Sequence, residues 1–263
     1  MLRRIDHIVV TGKSLADLAE RALAHGFTLT PRAQHPDHMA TANRLAQFAN
    51  QTFIELLEVG RAEAVTRPAP PAFPWAAAQR DYLAERGTGM SMLVFSGSDA
   101  EADAAEFAEF GGWAPFQFGR QATLPTGETV PVSFRLAFAT PPGLAPLAFF
   151  SCHNEFPENF WKPDFQSHAN GSGGIREIVI AVENPGAEQA ALARLTGSDP
   201  ETREGGLRFP LADGQAVSLV SVSHAEALTG QSATPPAFAA VIMDGPPQPP
   251  LTLGSLTLLW PGS

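Results

Sequence analysis

A few strings of this sequence carry side chains whose type and place could do chemistry, first among them a carboxylate set among apolar neighbours. In FIELLEV (53–59) strand alternation puts Phe53, Glu55, Leu57 and Val59 on one face, so a carboxylate lies on an inward apolar surface and needs a compensating partner. Asn43 and Arg44 lie in the string TANRL. A guanidinium there can grip a ligand carboxylate or phosphate through two parallel hydrogen bonds, or simply form a surface ion pair. His35 and His38 flank Pro36-Asp37 in a loop and are expected to face solvent, at most rimming a pocket. Cys152 is next to His153, but neighbours on a strand point to opposite faces and cannot readily pair as nucleophile and base. The stretch 152–174 is dense in aromatic and polar side chains for a linker. In it Trp161, Phe165, Gln166, His168 and Asn170 read either as packing between two halves or as a lid with polar contacts over a ligand. There is no phosphate-cradling Gly-rich loop, CxxC pair, HExxH or GxSxG elbow.

These residues are carried by a repeating pattern of apolar strand, cap residue, Ala/Leu-rich helix and Gly stop. It begins near residues 4, 89 and 174, a period of about 85 residues that itself predicts repeated architecture. Ser14 with Asp17, Ser98 with Glu101, and Asn184 followed by Pro185 are the expected helix starts. Further strands should follow each helix, giving βαβββ units, with a tight hairpin at Asn50-Gln51 in the first. A fourth unit shows only in part, as AFAAVIMDG and LTLGSLTLLW, its helix lost or replaced by the Pro-rich run 245–250. The Pro-rich run 67–75 leads into a short helix, WAAAQRDYLAERG.

The 263 residues are 44% hydrophobic, enough for a substantial core. Seventeen Lys and Arg against 27 Asp and Glu, a formal charge of −10, argue against nucleic acid or an anionic membrane as partner, because both require clustered cations. One cysteine cannot form an intramolecular disulfide, so a reducing, cytoplasmic location is expected. The apolar run after the basic start is too short for a signal segment, and none approaches the roughly 20 residues of a spanning helix.

The strand DHIVV, the helix ending in HGF, the strings HPDHMATANRL and FIELLEV, and FQSHANG at 165–171 together resemble the glyoxalase-like branch of the vicinal oxygen chelate superfamily. That superfamily includes glyoxalase I, extradiol dioxygenases and bleomycin-resistance proteins. The resemblance covers about residues 3–220 and implies an α+β fold of βαβββ modules paired into curved mixed sheets with helices outside. An N-terminal half (1–160) would hold two units and the main pocket; a degenerate C-terminal half (171–263) would follow the connector or lid at 152–174.

Metal ligands in this superfamily come from the first and last strands of each unit. The resemblance therefore puts His7 and Glu55 at ligand positions, with Glu55 also the candidate catalytic base, unless the two merely hydrogen-bond in the core. Unit two aligns Ser91 and Ser151 with those positions, leaving His153, two residues on, as a third ligand. The expected cofactor is a divalent ion (Zn, Mn, Fe or Ni), held by His7, Glu55 and His153. Glu177 and Ser218 at the matching positions of unit three argue against a second site. Asn43, Arg44, Trp161, Phe165, Gln166 and His168 are the expected substrate contacts. The implied functions are a metal-dependent lyase, isomerase or dioxygenase acting on a small molecule, or a metal-free binding or sequestration protein of the bleomycin-resistance type, as monomer or homodimer.

Overall fold

The computed structural model describes residues 2–60, 62–123 and 127–262. Unit one comprises β1 (Ile5–Gly12), α1 (Leu15–Ala24), β2 (Ala33–Gln34), β3 (Thr41–Gln47) and β4 (Phe53–Val59). After α2 (Trp75–Arg86), unit two runs β5 (Gly89–Ser96), α3 (Ala100–Glu106), β6 (Phe116–Thr123), β7 (Thr129–Ala139) and β8 (Ala148–Asn154). A short α4 (Pro157–Phe160) lies in the connector. Unit three is β9 (Gly174–Val182), α5 (Gln189–Thr196), β10 (Glu201–Arg203), β11 (Gly206–Pro210) and β12 (Ala216–Ser221). Helix α6 (Val222–Thr229) precedes unit four, which is β13 (Ala237–Asp244), β14 (Leu251–Leu253) and β15 (Leu256–Leu259).

The strands form two mixed sheets, one of eight strands in the order β2-β3-β4-β1-β5-β8-β7-β6 and one of seven in the order β10-β11-β12-β9-β13-β15-β14. Each is two modules joined edge to edge: β1 runs antiparallel to β5, and β9 to β13, while the last strand of each module lies parallel to its first. Unit four has no helix between its strands, as its proline-rich run requires.

Local chemistry explains the element starts. Ser14 caps α1, its hydroxyl accepting from the Asp17 amide at 3.1 Å. The start of α3 shifts by one residue from the expected Ser98, because Asp99 accepts from both Glu101 N and Ala102 N at 3.1 Å. At the third helix the Asn184 side chain caps a turn at Gly186, and α5 begins only at Gln189. The hairpin between β3 and β4 turns through Gln51 at φ 58, as the Asn-Gln pair suggested.

The faces bearing α1, α3 and α5 meet in one continuous apolar cluster shared by both halves. Phe149 of β8 and Phe238 of β13, both essentially fully buried, cross edge to face at 5.6 Å, worth about 1 kcal/mol beyond their burial. Buried polar bridges fix the seam: Gln215 Oε1 accepts from Ile5 N at 2.8 Å, and Thr52 Oγ1 from Ile175 N at 3.0 Å. The opposite, concave face of the eight-stranded sheet carries a second core cluster, and this is where the site lies. No helix among the described residues is long and apolar enough to cross a membrane.

Candidate functional site

The concave face holds a narrow slot of about 80 Å³ that opens to solvent. Its walls are aromatic: Phe53 from β4, Trp75 from α2, Phe118 from β6, Phe134 from β7, Phe150 from β8 and Phe160 from α4. Polar groups enter at few points, His7, His35, Asn43, Glu55 and Arg120, with Cys152 on the β8 wall.

Strand register brings the polar floor together. His7 pairs with Phe53 and Val9 with Glu55, so the His7 and Glu55 side chains rise from adjacent parallel strands on one face. Asn43 of β3 pairs with Leu57, and its amide donates to Glu55 Oε1 at 2.6 Å. Asn43 Nδ2 also lies 3.2 Å from His35 Nε2. An amide N–H can only donate, so that nitrogen accepts and His35 carries its proton on Nδ1, donated to Thr41 Oγ1 at 2.8 Å. The Trp75 indole donates to the same hydroxyl oxygen at 3.0 Å. On the other side His7 Nδ1 donates to Asp6 Oδ1 at 2.6 Å, which turns Nε2 toward Glu55 Oε2 at 3.8 Å. His35 Nε2 stands 3.6 Å from Glu55 Oε1. One buried carboxylate thus has an imidazole on either side, each fixed from behind by its own hydrogen bond. Burial holds the His35 pKa below the ordinary histidine value, against the raising effect of Glu55, and Arg120 lowers it further. Burial first, then the charges of Asp6 and Glu55, raises the Cys152 thiol well above its usual pKa, so it is not a thiolate.

Of the residues expected at the site, the structure brings His7, Glu55 and Asn43 together and puts the others elsewhere. His153 does not join them. Val94 pairs with Phe150 just as Val9 pairs with Glu55, so Phe150 rather than Ser151 holds the carboxylate's register position, and a one-residue slip reverses every face. Phe150 and Cys152 line the slot, while Ser151 and His153 project from the other side. Ser91 falls at a bulge opposite Val9 and Val10, and is tied up in a buried knot with Thr11 (2.9 Å) and Gln79 (2.8 Å). Arg44 is corrected likewise: Asn43 and Leu45 face the slot, so Arg44 points to the α1 side and donates to Thr30 O at 2.8 Å. His35, expected in solvent, is buried at the floor, whereas His38 is exposed near Phe116.

The connector is pinned down by hydrogen bonds. His168 Nε2 donates to Gln47 O at 2.7 Å and Nδ1 accepts from Thr28 N at 2.9 Å; burial lowers its pKa. Gln166 donates to Phe48 O at 2.9 Å, and Phe165 is half-buried in the same segment. Trp161 stands behind the wall, 5.0 Å from Phe160 and 5.9 Å from Phe53 between ring centres, and Phe160 is the connector residue that lines the slot. Sequence reasoning missed Arg120 and the Phe118 beside it, although the alternation Phe116, Phe118, Arg120 in FQFGR marks one face of a strand.

Among the described residues no group of three or more His, Cys, Asp or Glu is arranged to hold an ion. His7, His35 and Glu55 face one another at the floor, the Asn43 amide covers the Glu55 oxygen nearest His35, and β8 faces them with Phe150 and Cys152. Among the described residues His7, Glu55 and His153 do not converge, so the expected three-ligand set is not assembled.

Paired βαβββ modules with a site on the concave face are the architecture of vicinal oxygen chelate proteins. Residues 5–196 match the glyoxalase-like domain family, and the chain belongs to that family. In fold it is similar to a hypothetical protein from Staphylococcus aureus, 14% identical, over 98% of this chain and 99% of that one, with a TM-score of 0.71. It is also similar to a variant of 4-hydroxymandelate synthase from Streptomyces coelicolor, 8% identical, over 92% and 71% of the two chains, TM-score 0.53. A third is a fusion of a xylose isomerase-like TIM barrel with 4-hydroxyphenylpyruvate dioxygenase, 12% identical, over 93% of this chain and 37% of that one, TM-score 0.51. At these identities the likeness shows the fold alone. No curated protein matches the sequence.

Proposed function

We propose that the N-terminal cup binds a small molecule with a flat apolar body and a polar head, and that Glu55 and His7 hold the head and exchange a proton with it. One observation carries this reading: a buried carboxylate between two oriented imidazoles, at 3.8 and 3.6 Å, at the floor of an otherwise aromatic slot. Asn43 fixes one Glu55 oxygen and leaves the other to the ligand; Asp6 sets the His7 ring so that Nε2 faces inward. A carboxylate so placed takes a proton from a ligand C–H or O–H and returns it, the step that isomerases and lyases of this proton-moving kind use. The ring walls exclude water and stack on the body.

The test is ligand-induced thermal stabilisation across a set of small aromatic compounds, wild type against Glu55→Gln. Compounds whose heads donate a hydrogen bond should lose about tenfold in affinity with the variant, the scale of one charge-assisted hydrogen bond. Equal affinity for both proteins would contradict the role of Glu55. A second reading, a metal-dependent lyase, isomerase or dioxygenase, has one observation in its favour: both imidazoles are anchored through their second nitrogen, as metal-bound histidines usually are. Stoichiometric metal in protein purified without chelator, lost in Glu55→Gln, would favour that reading over ours.

A further inference from the structure

Among the described residues that line the cup, Arg120 is a cation that nothing in the proton-moving floor requires. Arg120 lines the slot from β6, on the same face of its strand as Phe118 and at the exposed mouth. No carboxylate among the described residues lies within ion-pairing distance of its guanidinium, whereas Arg135 on the adjoining β7 is paired with Glu101. Enough of the Arg120 group is screened from water that burial draws its pKa below the ordinary arginine value. Keeping a charge partly desolvated without a counterion is costly, and a ligand anion would offset that cost. His35 lies within electrostatic reach of both Glu55 and Arg120, so the slot has an anionic floor and a cationic mouth a short span apart.

We infer that the ligand is a flat, ring-sized carboxylic acid, bound with its carboxylate on Arg120 at the mouth and its uncharged end toward Glu55. The inference rests on the reading of the cup as a ligand site given above. The orientation follows from charge: a carboxylate at the floor would meet Glu55, whereas at the mouth it meets a planar donor that can hold both its oxygens. The size follows from the narrow slot and its phenyl walls. The chain carries a formal charge of −10 and offers an anion no general attraction, so a preference for acids would report this guanidinium.

The experiment is titration calorimetry with benzoate, phenylacetate and 3-phenylpropionate, each paired with its carboxamide, on wild type, Arg120→Gln and Arg120→Lys. Arg120 is at the mouth and outside the core clusters, so these variants should fold normally, which their melting temperatures would check. At least one acid should bind wild type about tenfold or more tightly than its amide. The preference should vanish in Arg120→Gln and persist only in part in Arg120→Lys. Amides binding as tightly as acids would overturn the inference and leave the ligand cup standing. An acid preference unchanged in Arg120→Gln would overturn it too. If no compound of either charge binds, both the inference and the aromatic-ligand reading fall.

Discussion

The two halves are built on one plan and use their concave faces in opposite ways. Glu177 pairs with Ala216 and Val179 with Ser218, which matches His7 with Phe53 and Val9 with Glu55, so the registers superpose residue for residue. In the first half those positions put an imidazole and a carboxylate at the floor of a slot. In the second, the Glu177 carboxylate accepts from Arg203 at 2.5 Å and from the Ser218 hydroxyl at 2.6 Å, with Arg208 at 3.8 Å. The core cluster on that face carries aliphatic side chains and, among the described residues, no ring: Ala181, Ala239 and Ala240 are buried with Val179, Val220, Leu259 and with Ala225 of α6, which packs onto the sheet. Large rings spaced around a gap leave an opening, whereas small aliphatic side chains under a helix close it. The first half keeps its polar groups facing an open slot; the second has paired its own with one another.

The closed half should be the more sensitive to volume. Ala240→Phe, under α6, is expected to cost about 3 kcal/mol through overpacking, read from the denaturation midpoint at unchanged m. A loss below about 0.5 kcal/mol would mean that the second concave face has room, and the contrast between halves would fail. A smaller effect is expected from Glu177→Gln, about 1 kcal/mol, because the partner Arg203 is 39% exposed and water screens the pair. Ligand affinity should not change with it, whereas Glu55→Gln should do the reverse.

The smallest effect concerns pH. His35 and His168 both have folded pKa values lowered by burial, so the unfolded chain binds more protons as pH falls through the ordinary histidine value of 6.5. Their stabilising contribution is full above that pH and is lost progressively from there down toward the lowered folded values. His168→Gln should flatten that part of the stability profile; an unchanged profile would show that the pinned connector does not titrate.

How much of this could be read from the sequence depends on the range of the interactions. Capping and periodicity are local, so Ser14, the hairpin at Asn50-Gln51 and the modular plan were legible. That His7 and Glu55 face each other was legible too, because the first strand and a cleanly alternating fourth strand fix both faces. The β8 position was not: AFFSCHN is apolar at Phe149 and Phe150 alike, so alternation does not reveal which faces inward, and a shift of one residue moved His153 to the far side. Asn43 and Arg44 are adjacent on one strand and cannot share a face, which leaves room in the slot for one of them. His35 reaches the floor through a backbone hydrogen bond from its amide to Thr41 O at 3.0 Å, a contact that loop composition does not encode. Arg120 comes from a hairpin of the second module, brought over the first only when β1 and β5 pair.

Whether the N-terminal concave face takes a ligand and its C-terminal counterpart does not can be read most directly at Cys152. It is the chain's single cysteine and lies on the slot wall. Its alkylation rate would be measured at alkaline pH, since burial keeps the thiol protonated, with and without a compound that raises the melting temperature. A saturating ligand should slow alkylation by at least about tenfold, by filling the only slot the thiol faces among the described residues. An unchanged rate at saturation would mean that the compound binds elsewhere and that the N-terminal slot is not its site.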